Sequence, residues 1–275
     1  MSADEFSGSS PSSSNSSSNH FSKQAKALEE IWQKSLLDDL SFSAGYKQMT
    51  APQKHNQIIE TPTRETLPLP VSALILCGGK STRMGRPKAF LPYGGTTMIS
   101  HILSVVKDLF AETFLIANEP ESFEDFEVDV VKDILPYRGP LGGILSGLLV
   151  AQYQHAFVIA CDMPLVDPKL IRQLVAQRHE HDVVVASHED GIEPLLGVYS
   201  KNCIKPLEES LFNGDLSLKE FLSGLNSSTY EIDQQNEEAG LPSCFNVNTP
   251  QDYSRLVTRG AVHHLNVNSN NKRQQ

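Results

Sequence analysis

From Val71 onward, short apolar runs ending in glycine or a polar turn alternate with segments of helical periodicity, and this alternation constrains the fold more than any other feature. Residues 71–76, 113–117, 128–131, 157–161 and 183–186 are apolar runs of strand length. Between them, residues 97–110, 141–151 and 168–178 place their apolar side chains at helical spacing. Such a pattern predicts an α/β fold of three layers, a mainly parallel twisted sheet covered by helices on both faces. Sheets of this kind bind ligands beyond the carboxyl ends of their strands, so the residues just after each run carry the functional reading.

The rest of the chain is organised differently. Residues 1–20 hold ten serines and almost no large apolar group, so they are expected to be disordered, with too little surface to bury against the entropy of ordering. Phe21, Ala25, Leu28, Trp32, Leu36 and Leu40 recur every three or four residues and predict an amphipathic helix over 21–40. That helix would dock on a protein partner or on the domain itself. Residues 41–70 read as a linker, 71–258 as the globular domain and 259–275 as a flexible tail.

Bulk properties exclude some functions. A formal charge of −10 argues against broad, charge-driven binding to nucleic acid or anionic membrane. No apolar run approaches the roughly 20 residues that span a bilayer. The four cysteines, Cys77, Cys161, Cys203 and Cys244, form no CxxC pair and are expected to be reduced thiols. The first residues lack an apolar targeting core, carry Asp4 and Glu5, and contain no arginine before Arg64. Cytoplasm is therefore the expected location.

Four stretches could carry chemistry. After the first run comes LCGGKSTRMGRPK, residues 76–88, where Gly78-Gly79 lets backbone N–H groups approach a ligand and Arg83 and Lys88 supply positive charge suited to a triphosphate. It is neither a Walker loop nor GxGxxG. A lone glycine pair would be an ordinary turn, but the whole string favours phosphate binding. Asp162, directly after the run 157–161, suits a magnesium ligand shared with substrate phosphates, or else caps the next turn. The glycines of 137–144 either prepare a helix N-terminus for an anion or allow close helix–sheet packing. In Phe245-Asn246-Val247-Asn248-Thr249-Pro250, Thr249 is a helix cap and the asparagines are turn formers or ligand contacts.

Taken in order, LCGGKSTRMGRPKAFL, Asn118, Asp133, GPLGGILSGL, ACDMP and FNVNTPQDY resemble the molybdenum cofactor guanylyltransferases, within the wider nucleotidyltransferases of the same α/β fold. The resemblance runs from Val71 to Leu256, about two thirds of the chain. It implies a Rossmann-like nucleotidyltransferase domain that moves GMP from GTP to the phosphate of molybdopterin with the help of Mg2+. By that resemblance Leu76, Cys77 and Gly78 give backbone contacts to GTP, Lys88 grips its phosphates, and Asn118 and Asp133 hold the nucleoside. Asp162 holds the metal and touches the nucleotide. Arg83, Gly139 to Gly143, Asn246 and Asn248 lie toward the pterin, and Arg83, Lys88 and Asp162 are the catalytic charges. Where the family has alanine this chain has Cys77, a small side chain that fits if only backbone is used; the four cysteines read as core or loop thiols, with Cys77 open to incidental reaction beside the phosphate loop. No basic residue stands out near 214–221, and Lys219 is the available substitute.

Other readings compete. A cytidylyl enzyme of the same kind would carry Ala-Gly rather than Gly78-Gly79 in the first loop. A sugar-phosphate nucleotidyltransferase fits the GPLGG turn and the FNVNTP string less well. A regulatory or adaptor protein would bind nucleotide without releasing pyrophosphate. His179, His181, His263 and His264 lack a partner set for a metal and read as surface residues, and the acidic stretch 119–129 as a solvated loop.

Overall fold

Strand β1 (Leu69–Leu76) is apolar on both faces, and a strand with no polar face must be covered on both. In the computed structural model, which describes residues 68–78, 87–232 and 241–258, it lies inside a seven-stranded sheet. The further strands of that sheet are β4 (Phe110–Ala117), β5 (Asp129–Lys132), β6 (His155–Ala160), β7 (Val183–His188), β8 (Gly191–Ser200) and β9 (Ser227–Glu231). Their order is β5-β4-β1-β6-β8-β7-β9. A separate hairpin pairs β2 (Pro92–Tyr93) with β3 (Thr96–Thr97). The Ser-rich extension, the helix expected at 21–40 with its partner, the tail 259–275 and Arg83 lie outside the described residues.

The two-residue period of each strand sorts its side chains into two cores. Val71, Ala73 and Ile75 of β1 join Phe157 and Ile159 of β6 beneath α1 (Met98–Val106) and α3 (Pro168–Ala176). Leu74, Leu76, Ala156 and Val158 face the other way, toward α2 (Gly139–Val150), α4 (Ile204–Asn213) and α5 (Leu218–Ser223). The three-layer, mainly parallel arrangement is as expected from the sequence. Only β8 runs antiparallel, wedged between β6 and β7.

Several boundaries differ from the sequence reading. Helix α1 ends at Val106, and Phe110 begins β4 instead of closing the helix, because it pairs with Leu69 in the sheet. Leu69 and Pro70, expected to close the linker, belong to β1, with an irregular register before Ser72. The acidic stretch is not solvated throughout. Its carboxylates are exposed, but Phe123 is buried and stacks on Phe90 at 5.1 Å. No helix among the described residues is long and apolar enough to cross a membrane.

Candidate active site

The carboxyl ends of β1, β4, β5 and β6, together with the start of the antiparallel β8, open into one cavity of about 710 Å³. Leu76, Cys77, Gly78, Lys88, Asn118, Asp133, Gly139, Gly143, Asp162, Asn246 and Asn248 all line it. Apart from Arg83, these are the site residues singled out by sequence, brought together from positions up to 172 residues apart, Leu76 to Asn248.

Lys88 and Asp162 form the centre. Lys88 opens a short 3₁₀ turn (Lys88–Phe90) whose Ala89 is buried and whose Phe90 packs on Phe123, so the base of its long side chain is fixed. Its Nζ donates to Asp162 Oδ2 at 2.9 Å and to Asn248 Oδ1 at 2.7 Å. Asp162 follows β6, which continues past Ala160 through a hydrogen bond from Cys161 N to Leu76 O. It does not cap a helix; Asp167 does that for α3.

Burial alternates along Phe245–Asn248, with Phe245 and Val247 buried and Asn246 and Asn248 more open. Val247 is fully buried and donates its N–H to Asp162 O at 3.0 Å, while Asn246 and Asn248 on either side reach the cavity. Helical residues 250–258 follow. Thr249 caps them as expected and is answered by Asp252, whose Oδ2 accepts from Thr249 N, Thr249 Oγ1 and Asn248 N. Asp252 N in turn donates to Thr249 Oγ1 at 3.1 Å, which completes a reciprocal cap. Partial burial pushes the Asp252 carboxyl up, but these donors and Arg255 outweigh it and hold its pKa below the ordinary value.

At the other end Asp133 follows β5 and is buried, only 7% exposed. It accepts from Leu135 N at 2.9 Å, and Ser146 Oγ of α2 lies 3.1 Å from its Oδ1. Burial raises its pKa, and these two donors only partly oppose the rise. Gly142 makes room for it, since a Cβ there would stand 3.0 Å from Leu135 O and 3.2 Å from Asp133 Oδ1. Asn118 Oδ1 accepts from Tyr137 N at 3.2 Å, and a Cβ on Gly78 would come 3.3 Å from Asn118 Nδ2. Tyr137 adopts a left-handed backbone (φ 64°) and is 60% exposed at the cavity rim. Close packing accounts for part of the glycine string, since a Cβ on Gly143 would stand 3.3 Å from Leu76. Gly139 and Gly143 line the cavity at the start of α2, whereas Gly147 lets the helix lie against Leu74.

Two expectations are corrected here. Burial, reinforced by the neighbouring Cys161 thiol, raises the pKa of Cys77 well above its ordinary value, so it is not an activated nucleophile. Lys219 is exposed on α5 and does not reach the cavity; Leu218 lines it instead. Glu193, Pro194 and Leu195 of β8 also line the cavity and were missed. The signal was present in the sequence as a glutamate and a proline inside an otherwise apolar run, a pattern that marks a bulge.

Residues 73–230 match the MobA-like NTP transferase domain model. This chain belongs to the MobA-like NTP transferase family. The family member is 36% identical over 185 residues to the probable molybdenum cofactor guanylyltransferase of Pelotomaculum thermopropionicum, covering 67% of this chain and 90% of the relative. It is 32% identical over 188 residues to the molybdenum cofactor guanylyltransferase of Desulfosudis oleivorans, covering 67% and 93%. Its fold is similar to the crystal structure of molybdopterin-guanine dinucleotide biosynthesis protein A from Archaeoglobus fulgidus, with a TM-score of 0.60 and 25% identity over 68% of this chain and 97% of that one. As a nucleotidyltransferase of this family, the chain brings its charged centre and both asparagines into the same cleft.

Proposed function

We propose that this chain transfers GMP from GTP to the terminal phosphate of molybdopterin and releases pyrophosphate. The observation that carries the reading is the Lys88–Asp162–Asn248 cluster in a cavity of about 710 Å³ at the carboxyl ends of the central strands. The names of the relatives favour a guanylyl donor over a cytidylyl one.

Nucleoside and acceptor would lie on opposite sides of that cluster. Asn118, Asp133 and the backbone of Leu76, Cys77 and Gly78 would hold the nucleoside, and Tyr137 offers an exposed ring for stacking against its base. Asn246 and Asn248 would face the acceptor. An oxygen of the acceptor phosphate attacks the α-phosphorus in line, the bond from that phosphorus to the bridging oxygen breaks, and pyrophosphate leaves with the electron pair. A phosphate monoester is largely ionised near neutral pH, so the attack needs no general base. What it needs is positioning, and cations against the gathered negative charge. Lys88 supplies one such charge, and the N–H groups at the start of α2 add their partial charge.

Magnesium is commonly held by one or two carboxylates together with substrate phosphates. Asp162 suits that role, and among the described residues no group of three or more His, Cys, Asp or Glu side chains offers an all-protein metal cage. The ion would neutralise charge on the departing pyrophosphate.

The test is pyrophosphate release by purified protein with molybdopterin and magnesium, supplied with GTP or CTP, beside Asp162→Ala. Turnover with GTP that collapses in the variant is expected. Turnover with CTP alone would move the enzyme to cytidylyl transfer. GTP binding without pyrophosphate release from any mixture would favour a regulatory protein.

A further inference from the structure

Glu193 stands at the opposite end of the cavity from Asp133, and the sheet order fixes that separation. The line β5-β4-β1-β6-β8 places Asp133 after the first strand, Asp162 after the fourth and Glu193 on the fifth. At about 4.8 Å per strand step, the strands that carry the two outer carboxylates lie about 19 Å apart, with the Lys88–Asp162 pair between them and nearer Glu193.

Glu193 reaches the cavity through an interruption of the ladder. Strand β7 pairs Val185 with Gly197 but its next residue, Ala186, with Glu193, so β8 carries extra residues between those two rungs. Pairing of β6 with β8 stops at Leu196. The surplus residues bulge, and Glu193, Pro194 and Leu195 all line the cavity. Tyr199, fully buried, donates its hydroxyl to Pro194 O at 2.7 Å and braces the bulge from within. The carboxylate is held on both oxygens, by His188 Nε2 at 3.2 Å from Oε1 and by Asn246 Nδ2 at 3.1 Å from Oε2. His188 also lies 3.9 Å from Asp190 Oδ2. Each carboxylate oxygen retains capacity for a further donor.

A negative group fixed beside a site for polyanions repels them unless the ligand brings hydrogen-bond donors to that spot. We infer that Glu193 is the acceptor-specificity residue, taking hydrogen bonds from N–H groups on the heterocyclic end of an acceptor whose phosphate end lies toward Lys88. The inference rests on the proposed guanylyl transfer, in which the acceptor is a phosphorylated pterin. A pterin's 2-amino and N3–H groups form a donor edge that a carboxylate matches. Asn246, oriented by the same carboxylate, completes the contact.

The test is Glu193→Gln, which keeps shape and removes charge. A lost charge-assisted hydrogen bond corresponds to an acceptor KM about tenfold higher, with the KM for GTP within about a factor of two of wild type. Free pterin, a fluorescent probe without the phosphate, should bind about tenfold more weakly to the variant, while inorganic phosphate binds both proteins equally. GTP affinity by calorimetry reports whether the variant is folded. Should it lose GTP binding, Glu193→Asp replaces it, keeping the charge but shortening its reach, with the same acceptor-selective rise expected. Equal rises in both KM values, or an unchanged acceptor KM and pterin affinity, overturn the inference and leave guanylyl transfer standing. If wild-type protein itself releases no pyrophosphate from GTP with molybdopterin, both fall together.

Discussion

Lys88 Nζ lies 2.9 Å from the Asp162 carboxylate, joining a 3₁₀ turn after the first loop to the turn that follows the fourth strand in the sheet. Both side chains are only partly exposed, at 20% and 16%, yet both line the cavity. A cation and an anion poised together over a polyanion site can each turn to a substrate group while screening the other.

Removing either member should therefore injure chemistry more than folding. Asp162→Asn is expected to lower kcat by about 10²–10³, the range seen when a transition-state charge contact is lost. Lys88→Ala should lower kcat similarly and also raise the KM for GTP. Steady-state pyrophosphate release measures both, and a variant with wild-type kcat would remove that residue from the centre.

Asp133 makes a prediction about pH. Burial raises its folded-state pKa above the unfolded value, so its contribution to stability is complete below the unfolded pKa and is lost as pH rises through the folded one. Asp133→Asn cannot ionise and is spared that loss. Thermal melts from pH 4 to pH 8 should show the variant gaining on wild type as pH rises, with weaker GTP binding at neutral pH. A constant gap between the two melting curves would contradict the raised pKa.

Gly147 separates packing from function within one glycine string. A Cβ there would sit 2.5 Å from a Leu74 methyl, far inside contact distance. Gly147→Ala should destabilise the protein by about 1–3 kcal/mol through overpacking, after a smaller gain in helix propensity. GTP affinity at low temperature should not change. Denaturant titration and calorimetry test the two halves independently.

Asp252 holds the loop that carries Asn248, accepting three hydrogen bonds from Asn248 and Thr249. Its replacement by alanine removes the reciprocal half of a helix cap, a loss of about 1 kcal/mol. Because Asn248 touches Lys88, kcat should also fall severalfold while the helix persists. Unchanged kcat in a measurably less stable variant would confine Asp252 to capping.

Sequence alone was enough for the layered α/β architecture, because burial on both faces leaves its mark in every apolar run of the central strands. It also marked the glycine turn, Lys88, Asn118, Asp133, Asp162 and the two asparagines, each just past a strand or before a helix, where ligands meet such sheets. Tertiary structure decided what those positions are to one another. That Lys88 contacts both Asp162 and Asn248 depends on contacts across 74 and 160 residues. No local pattern encodes such pairings. The reversed direction of strand β8 was hidden for a related reason. A strand buried in the sheet shows no alternation to reveal its direction, so only pairing with β6 and β7 brings Glu193 to the cavity and burial sets the pKa values of Asp133 and Cys77.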